Sequence, residues 1–188
     1  GMAYRAKIFR ELGLDAKIVF ATTFPNDNIQ HETDFLGFLD SEIIWLYSFF
    51  TDCRISPVTY TLKQLESSFG TTKFMFSRKG ISARYTFPEQ GYYYAVVMAD
   101  DESDLVHRVC VISKGCLIRQ DCYTYCRIYS EYYISVNGQA KIYLRRFFNE
   151  NGSIAYEEMI NGDEILYRLP DRILYSREEL LGYMMSQL

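Results

Sequence analysis

Long β-rich runs between residues 72 and 169 are broken by three Asn-Gly pairs, Asn137-Gly138, Asn151-Gly152 and Asn161-Gly162. Around them lie runs such as Tyr92-Tyr93-Tyr94-Ala95-Val96-Val97-Met98 and Lys141-Ile142-Tyr143-Leu144-Arg145-Arg146-Phe147-Phe148. Asn-Gly suits a type I′ hairpin because both central residues of that turn take φ > 0. The spacing predicts a meander of antiparallel strands over 73–78, 83–87, 92–99, 105–113, 116–126, 127–136, 140–148, 153–160 and 164–169, about nine in all.

The flanks follow a different period. In residues 2–12, Tyr4, Ile8, Phe9 and Leu12 share one side of a predicted amphipathic helix, with Gly13 placed to end it. Residues 16–23 read as a mostly buried strand. Helix, glycine and apolar strand in that order form the second half of a βαβ unit. The strand and ligand-binding loop that should come first are missing, so the N-terminus is expected to be a cut inside a domain. Gly1 before Met2 reads as a cloning remnant.

Residues 25–33 are polar and follow the C-terminal end of a strand, where open α/β sheets place their sites. Asn28, Gln30 and His31 are candidates there for a polar ligand. The competing reading makes this stretch a loop and helix start whose Asn and Asp residues cap backbone N–H groups. Asp40-Ser41 opens an apolar helix predicted over 43–50, which holds the single Trp45. Thr61-Leu62-Lys63-Gln64 fits a capping box for a short helix to Phe69, with Gly70 after it. Pro170 ends the predicted sheet, and 173–175 is a short apolar run. Ser176-Arg177-Glu178-Glu179 is a second capping box, opening a helix through Leu180, Leu181, Met184 and Leu188. A strand would come next in an α/β layer, so both ends read as cuts in one outer domain. The predicted class is α+β: a large antiparallel β-meander sheet inserted into an incomplete Rossmann-like α/β half-domain. Residues 2–71 form its first part, 72–169 the insertion and 170–188 the return.

Charge and composition narrow the function. With 188 residues, 48% hydrophobic content and a net charge of −4, the chain supports a real core and offers no basic face for nucleic acid. Residues 72–160 carry a net +1 and the remainder −5, and 12 of the 17 tyrosines fall between Tyr85 and Tyr167. A near-neutral, aromatic sheet suits protein contacts better than phosphate. One alternating face of the run from Lys141 carries Lys141, Tyr143, Arg145 and Phe147, a mixture enriched in interaction cores. These four are the partner-binding candidates, against the alternative of a merely Tyr-rich sheet.

Five cysteines and no signal peptide imply free thiols in a reducing compartment. Cys122 and Cys126, four apart on one strand, would stand roughly 13 Å from each other, too far to share a metal ion. No apolar run approaches the ~18–20 residues of a membrane span. No Gly-rich phosphate loop, nucleophile elbow, His-Glu metal pattern or Walker motif occurs. Glu157 and Glu158 sit on opposite strand faces, and Glu178-Glu179 suit a helix N-terminus. The residues alone therefore predict a noncatalytic fragment with a protein-binding sheet, with no catalytic and no metal-binding residue to name.

Three runs, Ala3-Tyr4-Arg5-Ala6-Lys7-Ile8-Phe9-Arg10, Asp27-Asn28-Ile29-Gln30-His31 and Ile44-Trp45-Leu46-Tyr47-Ser48-Phe49-Phe50-Thr51-Asp52, resemble a known family. Gly115-Cys116-Leu117-Ile118-Arg119, Ser130-Glu131-Tyr132-Tyr133 and Phe147-Phe148-Asn149-Glu150-Asn151-Gly152 are similar to it too. The family is the catalytic subunit of the accessory-Sec O-GlcNAc transferase, and the likeness is to its amino-terminal part. The resemblance implies a GT-B glycosyltransferase whose first Rossmann-like domain is interrupted by an extended β-sheet domain. It implies transfer of GlcNAc from UDP-GlcNAc, with retention, to Ser/Thr of serine-rich repeat adhesins. The implied partners are a homologous noncatalytic subunit on the sheet and the serine-rich acceptor polypeptide. Asn28, Gln30 and His31 would line the acceptor side, while the donor-site residues fall after this chain, leaving it inactive alone and without a cofactor. The resemblance also implies a cytoplasmic location, peripheral at the inner face of the cell membrane, and a homo-oligomer through the sheet. The alternatives are a wall-teichoic-acid glycosyltransferase fragment whose sheet drives self-assembly, and a noncatalytic docking or chaperone subunit.

Overall fold

The computed structural model describes residues 2–24 and 28–188; Pro25, Asn26 and Asp27 of the polar stretch and the leading Gly1 lie outside the described residues. The meander is a ten-stranded antiparallel sheet in chain order. Its strands are β3 (Met75–Lys79), β4 (Ser82–Phe87), β5 (Tyr92–Met98), β6 (Val106–Ser113), β7 (Cys116–Tyr123), β8 (Arg127–Val136), β9 (Gln139–Phe148), β10 (Ile154–Asn161), β11 (Glu164–Arg168) and β12 (Ile173–Leu174). Asn137 at φ 52° and Gly138 at φ 77° make the β8–β9 turn as the type I′ geometry requires. The sheet has one strand more than expected. Pro170 turns a corner, Leu169 N–H donates to Arg172 O at 2.9 Å, and β12 pairs back onto β11. Strand β7 is shorter than predicted: Thr124 N–H donates to Cys126 O at 3.0 Å, so Thr124–Cys126 is a turn and Cys126 leaves the strand that holds Cys122.

Residues directly opposite on neighbouring strands share a face, so the register assigns every side chain. One face carries Ala83, Val96 and Val109 in one row and Tyr85 and Tyr94 in the next. It is covered at the β4–β6 end by α4 (Leu62–Ser67), which buries Leu62 and Leu65, with Phe69 just beyond it. Thr61 and Gln64 form the predicted capping box of that helix. The opposite face carries Tyr129, Phe147 and Tyr156 in a row across β8–β10. That row lies under the outer elements: Tyr47 stacks on Phe147 at 5.4 Å and Phe147 on Tyr156 at 4.4 Å. Tyr156 OH donates to Tyr47 O at 2.9 Å.

The outer elements are α1 (Met2–Glu11), β1 (Ile18–Phe20), α2 (Ile29–Phe35), a 3₁₀ turn Asp40–Glu42, β2 (Ile43–Trp45), α3 (Leu46–Phe49) and, after the sheet, α5 (Arg177–Met185). The helix predicted over 43–50 is in fact strand β2 followed by one helical turn. An apolar run this short has no distinguishing period, and β-branched Ile43-Ile44 pair in parallel with Ile18-Val19. The result is a β1–α2–β2 unit. Helix α1 also turns a different side inward than predicted, because Ala6 is buried while Tyr4 and Leu12 are exposed. Leu180 and Met184 of α5 are buried in the same core as Leu46 and Tyr47, and Tyr183 stacks on Phe50 at 5.6 Å.

Between α3 and α4 the chain crosses from one face of the sheet to the other around the β7–β8 turn. This strap is fastened along its length. Asp52 Oδ1 accepts from Glu150 N–H at 2.6 Å, and Tyr125 OH accepts from Arg54 N–H at 3.1 Å. Thr59 and Tyr60 N–H both donate to Thr124 O, at 3.0 and 2.9 Å.

Candidate docking surface

Strand β9 has ten residues, roughly 33 Å of extended chain, and the outer elements cover only part of it. The four partner-binding candidates therefore divide. Lys141 and Tyr143 are exposed toward the free tip. Tyr143 lines an open groove of about 940 Å³ with Met159, Ile165, Tyr175, Arg177 and Glu178, between the sheet and the start of α5. Phe147 is 2% exposed in the core, and Arg145 is held between two carboxylates. Strand β9 does not alternate throughout: Leu144 pairs with Tyr132 and Ile142 with Tyr133, so a bulge at Tyr143 puts Lys141, opposite Ile134, on the other face from Arg145 and Phe147. The expected single face of four candidates is corrected accordingly, with only Lys141 and Tyr143 exposed.

Arg145 is the centre of a polar ladder on that face. Its Nε donates to Glu131 Oε1 and its Nη1 to Glu158 Oε2, both at 2.8 Å. Gln120 Nε2 donates to Glu131 Oε2 at 3.2 Å, and Cys110 Sγ to Gln120 Oε1 at 3.5 Å. Tyr167 OH donates to Glu158 Oε1 at 3.0 Å, and Tyr133 OH donates to Glu131 Oε2. From Cys110 to Tyr167 the ladder crosses β6 to β11. Burial pulls the Arg145 guanidinium down, but Glu158 and Glu131 outweigh it and hold the charge above its ordinary range. Burial and then the Glu158 charge push the Tyr167 hydroxyl up, while Arg177 of α5 opposes them by hydrogen bonding. Every carboxylate here is occupied by a donor, so the ladder ties neighbouring strands of the sheet in register.

Beyond the ladder the same face is uncovered. Tyr93 pairs with Ile112, and Ala95 with Cys110, and all four are half-exposed. Ile118 is exposed on the next strand, and the Arg84 guanidinium lies 3.7 Å above the Tyr93 ring. Edge strand β3 adds exposed Met75, which pairs with Thr86 on this face. These residues escaped the sequence reading, although the period-2 run Tyr93, Ala95, Val97 was a usable signal.

The polar stretch after β1 resolves into a helix cap. Asn28 is buried; its Oδ1 accepts from Gln30 N–H at 2.7 Å and His31 N–H at 3.4 Å. Asn28 Nδ2 donates to Ser56 O at 3.0 Å, which ties α2 to the strap. Gln30 Nε2 reaches Asp34 Oδ2 at 2.6 Å, one turn along α2. His31 is exposed on the first turn. The structure therefore brings the three together around one N-terminus, with Asn28 facing inward and His31 outward.

A protein-family model, the GtfA extended beta-sheet domain, matches residues 75–171, more than half of the chain. The chain belongs to the GtfA extended beta-sheet domain family. Its relatives include the UDP-N-acetylglucosamine–peptide N-acetylglucosaminyltransferase GtfA subunits of Streptococcus agalactiae, 41% identical over 186 residues, and Streptococcus gordonii, 42% identical over 185. These alignments take in 99% and 98% of this chain but 37% of each relative, so the chain spans little more than a third of the length of the curated proteins it matches. Among solved structures, a GtfA/B complex superposes with a TM-score of 0.91 at 41% identity, over 100% of this chain and 38% of that one. The pneumococcal O-GlcNAc transferase GtfA in complex with UDP and GlcNAc also gives 0.91, at 34% identity, over 99% of this chain and 37% of that one.

The GtfA-family span opens on the exposed edge β3 and closes just past the Pro170 corner. It contains the whole polar ladder and all four β9 candidates. Asn28, Gln30 and His31 lie outside it, in the β1–α2–β2 unit. No helix among the described residues is long and apolar enough to cross a membrane. No group of three or more His, Cys, Asp or Glu side chains poised for a metal is found among them.

Proposed function

We propose that the intact protein is a glycosyltransferase moving N-acetylglucosamine from UDP-N-acetylglucosamine to serine and threonine hydroxyls of a serine-rich polypeptide. In this reading the described region supplies the surface for a homologous noncatalytic partner subunit and the acceptor side of the cleft, and the donor sugar is held by the remaining length of the protein. The observation that carries the proposal is the match of nearly the whole chain, at about two residues in five, to GtfA subunits named for N-acetylglucosamine transfer from UDP-N-acetylglucosamine to a peptide. The form of the sheet supports it. A ten-stranded sheet locked by a cross-strand polar ladder is a rigid platform, and its uncovered aromatic and aliphatic stretch offers the kind of area that protein interfaces bury. A cytoplasmic position, peripheral at the membrane, belongs to the same proposal, because a nucleotide-sugar donor is an intracellular metabolite.

The test is transfer itself. The intact protein and its partner subunit are incubated with UDP-GlcNAc labelled in the sugar and a serine-rich peptide. Label in the peptide that alkaline β-elimination releases is the expected result; a folded complex that leaves the peptide unlabelled overturns the reading. Residues 2–188 alone should give no heat with UDP-GlcNAc in calorimetry, and micromolar binding would move the donor site into this region.

A further inference from the structure

Two cysteines meet where the strap passes the β7–β8 turn. Cys53 Sγ lies 3.8 Å from Cys126 Sγ, although the residues are 73 apart in sequence. Cys53 comes from the strap that leaves the outer elements, and Cys126 from the turn of the sheet. Both are free thiols. The segments carrying them are already fastened to each other and to the β9–β10 turn: Arg54 N–H donates to Tyr125 OH, Tyr125 OH to Glu150, and Glu150 N–H to Asp52 Oδ1. Cys53 Sγ also donates to Phe148 O at 3.3 Å. Little motion separates this pair from the roughly 2 Å of a bonded disulfide. Cys53 is nearly buried, but it lines an open cleft of about 490 Å³ with Ser48, Arg54 and Ile55. That cleft admits a small oxidant.

We propose that Cys53 and Cys126 are a redox modification site: a peroxide converts them to a disulfide that locks the strap onto the sheet. The Cys53 thiolate attacks one peroxide oxygen, the O–O bond breaks, and sulfenic acid and hydroxide form. The Cys126 sulfur then attacks the sulfenic sulfur, an S–S bond forms, and the sulfenic oxygen leaves as water once protonated. In sum two thiols lose two electrons and two protons, and one peroxide becomes two waters. A low-molecular-weight thiol reverses the step by exchange. The hydrogen bond from Cys126 favours the Cys53 thiolate, with burial opposing it, which makes Cys53 the attacking sulfur. Of the other three cysteines, Cys122 is buried and its thiol pushed up to about 12 by that burial, so it does not compete. The bond would fasten the strap that leaves the outer elements covalently to the β7–β8 turn of the sheet.

The experiment treats the intact protein with hydrogen peroxide, blocks remaining thiols with maleimide, and maps tryptic peptides without reductant. A peptide pair joined through Cys53 and Cys126, lighter by two hydrogens and separated by dithiothreitol, is expected. The oxidised protein should melt roughly 5–10 °C higher than the reduced one. Cys126→Ser keeps a donor beside Cys53, and should lose the crosslink and accumulate a dimedone-reactive sulfenic acid at Cys53; Cys126→Ala should also lose the crosslink, with less sulfenic acid because the hydrogen bond that favours the Cys53 thiolate is gone. A different crosslinked pair, or Cys53 and Cys126 both still open to maleimide after peroxide has oxidised Cys116, would overturn the proposal.

Discussion

Arg145 Nη1 on β9 stands 2.8 Å from Glu158 Oε2 on β10, and Glu158 has no exposed side-chain surface. The same guanidinium reaches Glu131 on the other side. One cation therefore answers two carboxylates across three strands, and the remaining oxygen of each is met by Tyr167 on Glu158 and by Tyr133 and Gln120 on Glu131. A buried ion pair adds little net stability over an apolar replacement, but removing one partner strands the others.

Arg145→Ala is accordingly expected to cost about 3–5 kcal/mol of unfolding free energy, because two buried carboxylates would remain without their cation. Arg145→Lys should lose much of the same amount, since an ammonium on a flexible stem cannot fork between two carboxylates. Urea denaturation followed by near-UV circular dichroism measures both. A loss under about 1 kcal/mol for the alanine variant would show that the ladder is relaxed by water.

Tyr143 and Phe147 lie on one strand, one exposed and one buried, and their substitutions should separate function from folding. Tyr143→Ala changes an exposed ring and should shift stability by under about 0.5 kcal/mol while weakening partner association by ~1–3 kcal/mol. Phe147→Ala empties a position stacked between Tyr47 and Tyr156 and should cost about 3–5 kcal/mol of stability. Calorimetry against the partner subunit and thermal melts decide both; undiminished binding by a folded Tyr143→Ala protein removes that ring from the interface.

What could be read from the chain follows the range of the physics. The hairpins are legible because a turn is a local matter: Asn137 and Gly138 need positive φ whatever else surrounds them. The Thr61–Gln64 capping box is legible for the same reason. The segment 43–50 is not, because Ile43 to Trp45 become a strand only through pairing with Ile18 to Phe20, and an eight-residue apolar run has no period that reveals it. The burial of Arg145 and Phe147 was equally hidden. Alternation puts Arg145 and Phe147 on one face of β9, but what lies over that face is set by Tyr47 and α5, far away in sequence. The bulge at Tyr143, which turns Lys141 to the other face, has no signal in the local sequence either.

Asn28 and His31 can be told apart by experiment. Asn28 caps α2 and also holds the strap through Ser56 O, so Asn28→Ala should cost about 1–2 kcal/mol. His31→Ala should leave the melting temperature unchanged and lower peptide glycosylation by the intact protein if the exposed ring contacts the acceptor. Equal turnover by a His31→Ala enzyme would leave this stretch with its capping role alone.

Glu42 gives a prediction in pH. The Arg10 guanidinium donates to both its carboxylate oxygens, at 2.7 and 2.8 Å, and Leu39 N–H donates at 2.9 Å. The Arg10 hydrogen bond first, then that of Leu39, draw the carboxyl down to about 2 from an ordinary 4.5. A carboxyl with a lower folded pKa binds a proton less readily in the native state than in the unfolded chain. Its stabilising share is therefore complete above about pH 4.5 and fades as the pH falls toward 2. Carbon-detected NMR titration of the Glu42 side chain should give a midpoint near 2. Arg10→Ala should move it up toward the ordinary value, short of it by what Leu39 still contributes. A midpoint close to 4.5 in the unsubstituted protein would mean that Arg10 and Glu42 do not hold this pairing in solution.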